Sequence, residues 1–169
     1  MYRRKLNVAE FNRIILYKNG DLMTNIEKLR DEKDLLKKEM AKIVGVVESV
    51  YSEWENEKLS IPTKRIYQLA NFFEVNIDYM MGISNSRLQI KCKTEINIQI
   101  VSSRLKEIRK SLNMTMRDLA EKFNTSSSAI SNYENNKFLI LSPFLIELCK
   151  FSNYSIDWVL GRTEHKFLN

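Results

Sequence analysis

Shifted by 79 residues against itself, this chain lays residues 26–84 on residues 105–163 without a gap. Identical pairs include Arg30/Arg109, Ala41/Ala120, Ser49/Ser128, Ser52/Ser131, Glu55/Glu134, Asn56/Asn135, Lys58/Lys137, Leu69/Leu148, Phe72/Phe151, Ile77/Ile156, Asp78/Asp157 and Gly82/Gly161. Apolar positions pair too: Leu29/Ile108, Met40/Leu119, Val44/Phe123, Tyr51/Ile130, Trp54/Tyr133 and Tyr79/Trp158. A gapless register with matched apolar positions calls for two copies of one fold. The chain's 169 residues, 44% of them hydrophobic, are enough for two small domains.

Each copy reads as five helices. In the second they are expected at about 102–112, 115–123, 126–134, 143–152 and 155–160 from apolar spacing and caps. Only four Gly and two Pro interrupt a chain rich in Leu, Ile, Glu and Lys, as an all-α protein requires. Gly82 and Gly161 suit helix C-caps. Asp78 and Asp157 sit in the first turn of the last helix, where the helix dipole favours an acid. A rival reading joins Ile26, Leu29, Lys33, Leu36, Met40, Ile43 and Val47 into one long coiled-coil helix. Gly45 interrupts that helix, Lys33 sits in its seam, and it would leave the repeat unexplained.

The stretch Thr115–Lys137 carries the clearest local signal. Thr115 is a good N-cap, and Asp118 three residues on can reach back to a free N–H. Leu119, Ala120 and Phe123 share one helical face. Asn124-Thr125 breaks the pattern, and Ser126 opens a second helix with Ile130 and Tyr133 on its buried side. Ser127, Ser128, Ala129 and Asn132 are left on the open side, small or amide-bearing and none acidic. A short helix with such a face can enter the major groove and meet base edges.

The totals narrow the function classes. Lys plus Arg number 27 against 21 Asp plus Glu, which fits a nucleic-acid partner without demanding one. Cys92 and Cys149 are too few for a disulfide framework and have no ligands at zinc spacing, so reduced cytosolic thiols are expected. No apolar run is long enough for a membrane span, and no signal peptide opens the chain. The lone histidine, His165, and the lack of a phosphate-binding glycine loop leave catalysis poorly provided for. No enzyme activity, metal or cofactor is expected.

Two segments lie outside the copies. Residues 1–23 form a basic arm: residues 1–22 hold five Lys/Arg against two Asp/Glu. They read as an arm that tracks a DNA backbone, as a loosely ordered extension, or as a consequence of start-codon choice, with Met23 the natural start. Residues 85–101 form a linker. Ile90, Cys92, Thr94, Ile96, Ile98 and Ile100 alternate with Lys91, Lys93, Glu95, Asn97 and Gln99, the pattern of a strand. That strand needs a partner, either the arm or the same segment of a second chain, which would make it a dimerisation element. Alternatively its later half extends the next helix.

The segment IRKSLNMTMRDLAEKFNTSSSAISNYENNK resembles the helix-turn-helix of the lambda-repressor-like (Cro/repressor, XRE) DNA-binding domains, and SNYSIDWVLGRT resembles that family's last helix. IEKLRDEK, SVYSEWENEK and EVNIDYMMGIS give the first copy the same profile. The resemblance implies two tandem five-helix domains at 24–84 and 102–163, followed by a tail at 164–169. It implies base reading by Ser127, Ser128 and Asn132, and phosphate contact or positioning by Thr115, Met116, Arg117, Ser126, Asn135, Asn136 and Lys137. Met116 stands where the family often has a Gln, and it cannot make that residue's hydrogen bond. Arg109/Glu134 and Arg30/Glu55 match a pair that in this family is often an internal salt bridge.

The first copy departs from the pattern. Leu36 and Val47 are poor residues for its two N-cap positions, and its reading face carries Glu48, Ser49 and Glu53. Residues 24–84 hold nine basic against eleven acidic residues, and residues 102–163 nine against six. Lys37, Lys38, Ser49 and Lys58 remain as first-copy DNA contacts, and a protein partner is the expectation for that copy. The second copy has an apolar surplus, Phe138 to Leu141 followed by Phe144, Leu145, Ile146 and Leu148. Self-association or burial against the linker or the first copy would account for it.

The expectation is a sequence-specific transcriptional regulator of double-stranded DNA, a cytoplasmic bacterial or phage repressor acting by promoter occlusion. The alternative is an adaptor, or an antitoxin-like autoregulator, built on the same folds. One chain could bind with both copies, since a 17-residue linker reaches roughly 55–60 Å and half-sites lie about 34 Å apart. The acidic face of the first copy favours instead a homodimer that presents two second copies to a palindrome.

Overall fold

The computed structural model describes residues 24–92 and 94–168. The arm at 1–23 and Lys93 lie outside the described residues. The first copy contains α1 (Ile26–Asp31), α2 (Lys37–Val44), α3 (Glu48–Glu55), α4 (Thr63–Phe73) and α5 (Ile77–Met80). The second contains α6 (Ile98–Ser111), α7 (Met116–Lys122), α8 (Ser127–Glu134), α9 (Ser142–Ser152) and α10 (Ile156–Val159). The single long helix over residues 26–47 does not form. The chain breaks after α1, where Asp34 enters the left-handed region at φ 52°, and Leu35 N–H turns back to Arg30 O.

The repeat shows most directly in the backbone. Left-handed residues occur at Asp34, Gly45, Glu57, Glu74 and Gly82, and again 79 residues on at Asn113, Asn124, Asn136, Asn153 and Gly161. Each pair ends or redirects a helix at the same place. The second copy uses Asn and Gly, which tolerate positive φ, where the first twice uses Glu, which does not.

The linker is not a strand. Isolated antiparallel bridges, Val75 to Gln89 and Tyr154 to Phe167, are the β pairing found among the described residues. Its later half belongs to α6, which starts at Ile98, ahead of the expected 102. Asn97 sets that start, its Oδ1 accepting from the N–H groups of Gln99 (2.9 Å) and Ile100 (3.3 Å). The alternating isoleucines thus straddle a helix cap, and the capped turn supplies the backbone partners that a lone strand would lack.

Buried side chains of both copies form one continuous cluster. The copies meet about a pseudo-twofold axis through α5 and α10. Asp157 Oδ2 accepts from the N–H groups of Ile77 (2.6 Å) and Asp78 (3.4 Å). In return, Asp78 Oδ1 accepts from Ile156 N–H (2.8 Å) and its Oδ2 from the Ser155 hydroxyl (2.6 Å). Each aspartate therefore caps the other copy's last helix rather than only sitting in its own first turn. A second reciprocal pair joins the loops after α3 and α8: Thr63 Oγ1 donates to Ile140 O (2.6 Å) and Ser142 Oγ to Ile61 O. The Ile77 and Ile156 caps correspond under the 79-residue shift, as do the Thr63 and Ser142 bonds, as an isologous interface demands.

Arg162 departs from the symmetry. Its side chain is fully buried and pairs with Asp157. It also crosses to the first copy, reaching Asn71 Oδ1 (2.9 Å) and Val75 O (3.1 Å). The equivalent residue of the first copy is Ile83. Of the two buried carboxyls, Asp157 is the one that pairs with that guanidinium. Burial, and for Asp78 also the charge of Asp157, push both carboxyls above the ordinary range, Asp78 to about 7.

Most of the second copy's apolar surplus is buried. Ile140, Phe144, Leu145, Ile146 and Leu148 are buried; Phe144 packs on Phe123 and Tyr133 of its own copy, and Ile140 and Ser142 meet Thr63 and Ile61 of the first copy. Only Phe138 stays largely exposed.

Candidate nucleic-acid interface

In the second copy, α7, the turn at Asn124 and α8 hold three side chains open. Thr115 Oγ1 accepts from Asp118 N–H (3.1 Å) and Asp118 Oδ2 accepts from Thr115 N–H (2.9 Å), a closed capping box. The hydrogen bonds from Thr115 hold the Asp118 carboxyl below its usual range. Thr125 N–H returns to Ala120 O (2.8 Å), and Ser126 Oγ caps α8 by accepting from Ala129 N–H (3.1 Å). Thr115 and Ser126 thus position the helices, and their hydroxyls are occupied.

The inner side of α8 is locked. Ile130 is buried, and Glu134 grips Arg109 of α6 through two bonds of 2.6 and 2.8 Å. Arg109 also donates to Met114 O (2.9 Å). The first copy repeats the arrangement, with Arg30 Nε 2.7 Å from Glu55 Oε1 and Arg30 Nη1 donating to Leu35 O (2.8 Å). Both pairs are internal salt bridges, as expected. They tie α3 to α1 in the first copy and α8 to α6 in the second.

Ser127 and Ser128 are exposed and Asn132 is half-buried. Among the described residues none of their side chains is taken up by a partner within the chain. Arg117, Asn136 and Lys137 are also exposed. Two expected positioning residues have other duties. Met116 is half-buried against the core, and the Asn135 side-chain amide donates to Ser131 O (2.8 Å), ending α8.

The first copy's equivalent surface differs in kind. Leu36 and Val47 occupy the N-cap positions of α2 and α3 without a side-chain cap bond. Lys37 stands where the second copy has Met116 and turns inward, its Nζ 3.2 Å from Glu55 Oε2. The Lys37 side chain stays about one-third exposed beside the buried Glu55 carboxylate. Lys38, Ser49 and Lys58 are exposed, as are Glu48, Glu53 and Glu57.

A helix-turn-helix domain model matches residues 103–164, and a further helix-turn-helix model matches residues 26–80. The chain belongs to the lambda-repressor-like helix-turn-helix family, in two tandem copies. No match was found among curated proteins or among solved structures. Family membership supports a DNA-binding regulator rather than an enzyme. Among the described residues of this tandem helix-turn-helix protein, no helix is long and apolar enough to cross a membrane.

Residue-by-residue reading missed the latch between the copies: Asp78, Asp157, Thr63, Ser142 and Arg162. A signal was present in the identical Asp78/Asp157 pair and in the matched hydroxyls of Thr63 and Ser142. It was invisible as an interface because a first-turn aspartate ordinarily serves its own helix.

Proposed function

We propose that the protein is a sequence-specific transcriptional regulator of bacterial or phage type that represses by occluding a promoter in the cytoplasm. The second copy reads base edges in the major groove through Ser127, Ser128 and Asn132. Arg117, Lys137 and the backbone around Asn136 meet phosphates. The observation that carries this reading is the trio of unengaged polar side chains on a helix whose caps and inner face are fully occupied. Serine and asparagine can pair with base edges, and no carboxylate among them repels the backbone.

The two copies come as a ready-made pseudo-dimer. A homodimer presenting two second copies to a palindrome would need another surface, because α5, α10 and the loops at Ile61 and Ile140 already pair within the chain. The preferred reading is one chain per operator, with the second copy supplying the base contacts. Selection of bound sites from random duplexes, followed by sedimentation of the complex, tests this. One chain on an asymmetric site supports it, and two chains on a palindrome refute the stoichiometry. No measurable DNA binding at low salt would leave the adaptor or antitoxin-like reading.

A further inference from the structure

The internal repeat shows a ring present in one copy and missing from the other. In the second copy, Phe144 stacks on Tyr133, with ring centroids 5.9 Å apart and planes at 23°. Phe144 also meets Phe123 edge-on at 5.3 Å. The equivalent residues of the first copy are Arg65, Trp54 and Val44. Arg65 brings no ring to Trp54, and its guanidinium donates to neutral oxygens, Gln68 Oε1 (2.7 Å) and Gly45 O (3.4 Å). Trp54 and Arg65 both line a groove of about 610 Å³, which Leu139, Ile140 and Leu141 of the second copy also line. That volume is in the range of small-molecule sites.

The lining sets the chemistry of the occupant. Most of its residues are apolar, its charged residues are Lys64 and Arg65, and none is acidic. The hydroxyls of Thr63 and Ser142 are already spent on the contact between the copies. Trp54 is 2% exposed, and its Nε1 is buried with no hydrogen-bond partner among the described residues. Folded proteins rarely leave such a donor unpaired. An apolar groove with two cations and no acid selects an anion with an apolar body. We propose that the groove binds a small aromatic carboxylate, its ring beside Trp54 and its carboxylate on Arg65 and Lys64. The ring gives Trp54 the aromatic partner that Phe144 gives Tyr133. The carboxylate matches the planar fork of the guanidinium, and a ligand oxygen supplies an acceptor for the indole N–H. In a DNA-binding chain, a site lined by both copies is an effector site; that role rests on the reading of the second copy as the DNA contact.

Calorimetric titration of the full chain with naphthoate, without DNA, tests the site. One equivalent should bind, and the neutral naphthamide of the same shape should bind roughly ten-fold more weakly. Arg65→Gln should weaken naphthoate by a similar factor and leave naphthamide unchanged. Arg65→Phe brings in the second copy's residue and should abolish binding of both. In nitrogen–proton correlation spectra the Trp54 indole resonance should move on titration while that of Trp158 stays. Should Arg65→Phe fail to fold, Arg65→Gln and the Trp54 resonance decide the matter. No binding to wild type at millimolar naphthoate overturns the proposal. Equal affinity for acid and amide, or naphthoate binding unaltered by Arg65→Gln, overturns it as well. So does movement of the Trp158 resonance with that of Trp54 unmoved, which would place the ligand elsewhere. None of these readouts requires DNA binding by the second copy, so the two readings fail separately.

Discussion

Asp78 and Asp157 exchange caps across the pseudo-dyad, yet only Asp157 pairs directly with a cation, so asparagine at the two positions should have opposite effects. Asp157→Asn leaves the buried Arg162 guanidinium with neutral acceptors, Asn71 Oδ1, Val75 O and Ile90 O. Removing one partner of a buried pair costs about 3–5 kcal/mol. The low end is expected here, because the amide oxygen can still accept from Ile77 N–H. Asp78→Asn removes a carboxyl that burial and the Asp157 charge raise to about 7. Against an ordinary carboxyl near 3.9, ionising it bounds the gain at roughly 4 kcal/mol. The weakened bonds from Ser155 and Ile156 take back roughly 1–3 kcal/mol, leaving at most about 1–3 kcal/mol of net stabilisation near pH 8. The pH dependence follows from the same shift. Between about pH 4 and pH 7 the folded chain keeps a proton that the unfolded chain has released. This site therefore contributes stability that is lost as pH rises, by up to about 1.4 kcal/mol per pH unit, and Asp78→Asn flattens that slope. Urea unfolding followed through Trp54 and Trp158 at about pH 5 and pH 8 measures both effects. Equal losses from the two substitutions, or a loss of about 2 kcal/mol or more from Asp78→Asn near pH 8, would refute this account of the latch.

Four further outcomes are expected. Ser127→Ala, Ser128→Ala and Asn132→Ala should each relax discrimination at one operator position by roughly 1–3 kcal/mol, read by competition among single-base variants. Lys137→Ala and Arg117→Ala should instead weaken binding evenly across sequences and each lower the salt slope by about one. Asn97→Ala should cost about 1 kcal/mol in urea unfolding and speed amide exchange at residues 98–101, because α6 loses its cap. Glu74→Asn should stabilise by up to about 1 kcal/mol, since it brings the residue that Asn153 supplies in the second copy to a left-handed position.

The two-copy architecture was legible in the chain itself. The 79-residue register, the capping residues Thr115 and Ser126, and the Arg109/Glu134 and Arg30/Glu55 pairs all depend on local spacing, which periodicity and cap chemistry report directly. The open face of α8 was legible for the same reason, because position on a short helix decides which side chains can be buried. Other features depended on contacts distant in sequence. The strand-like alternation at 90–100 gives way to a helix because Asn97 caps it. Lys37 turns inward because Glu55 is buried beside it. Within the apolar surplus at 138–148, Ile140 meets Thr63 of the first copy, while Phe144 packs on Phe123 and Tyr133 of its own. The reciprocal aspartates show the division most clearly. Sequence placed Asp78 and Asp157 at equivalent positions in two equivalent units, but only the packing of α5 against α10 decided that each caps the other's helix. An interface between repeats is set by how two finished surfaces meet, and no spacing within either copy records it.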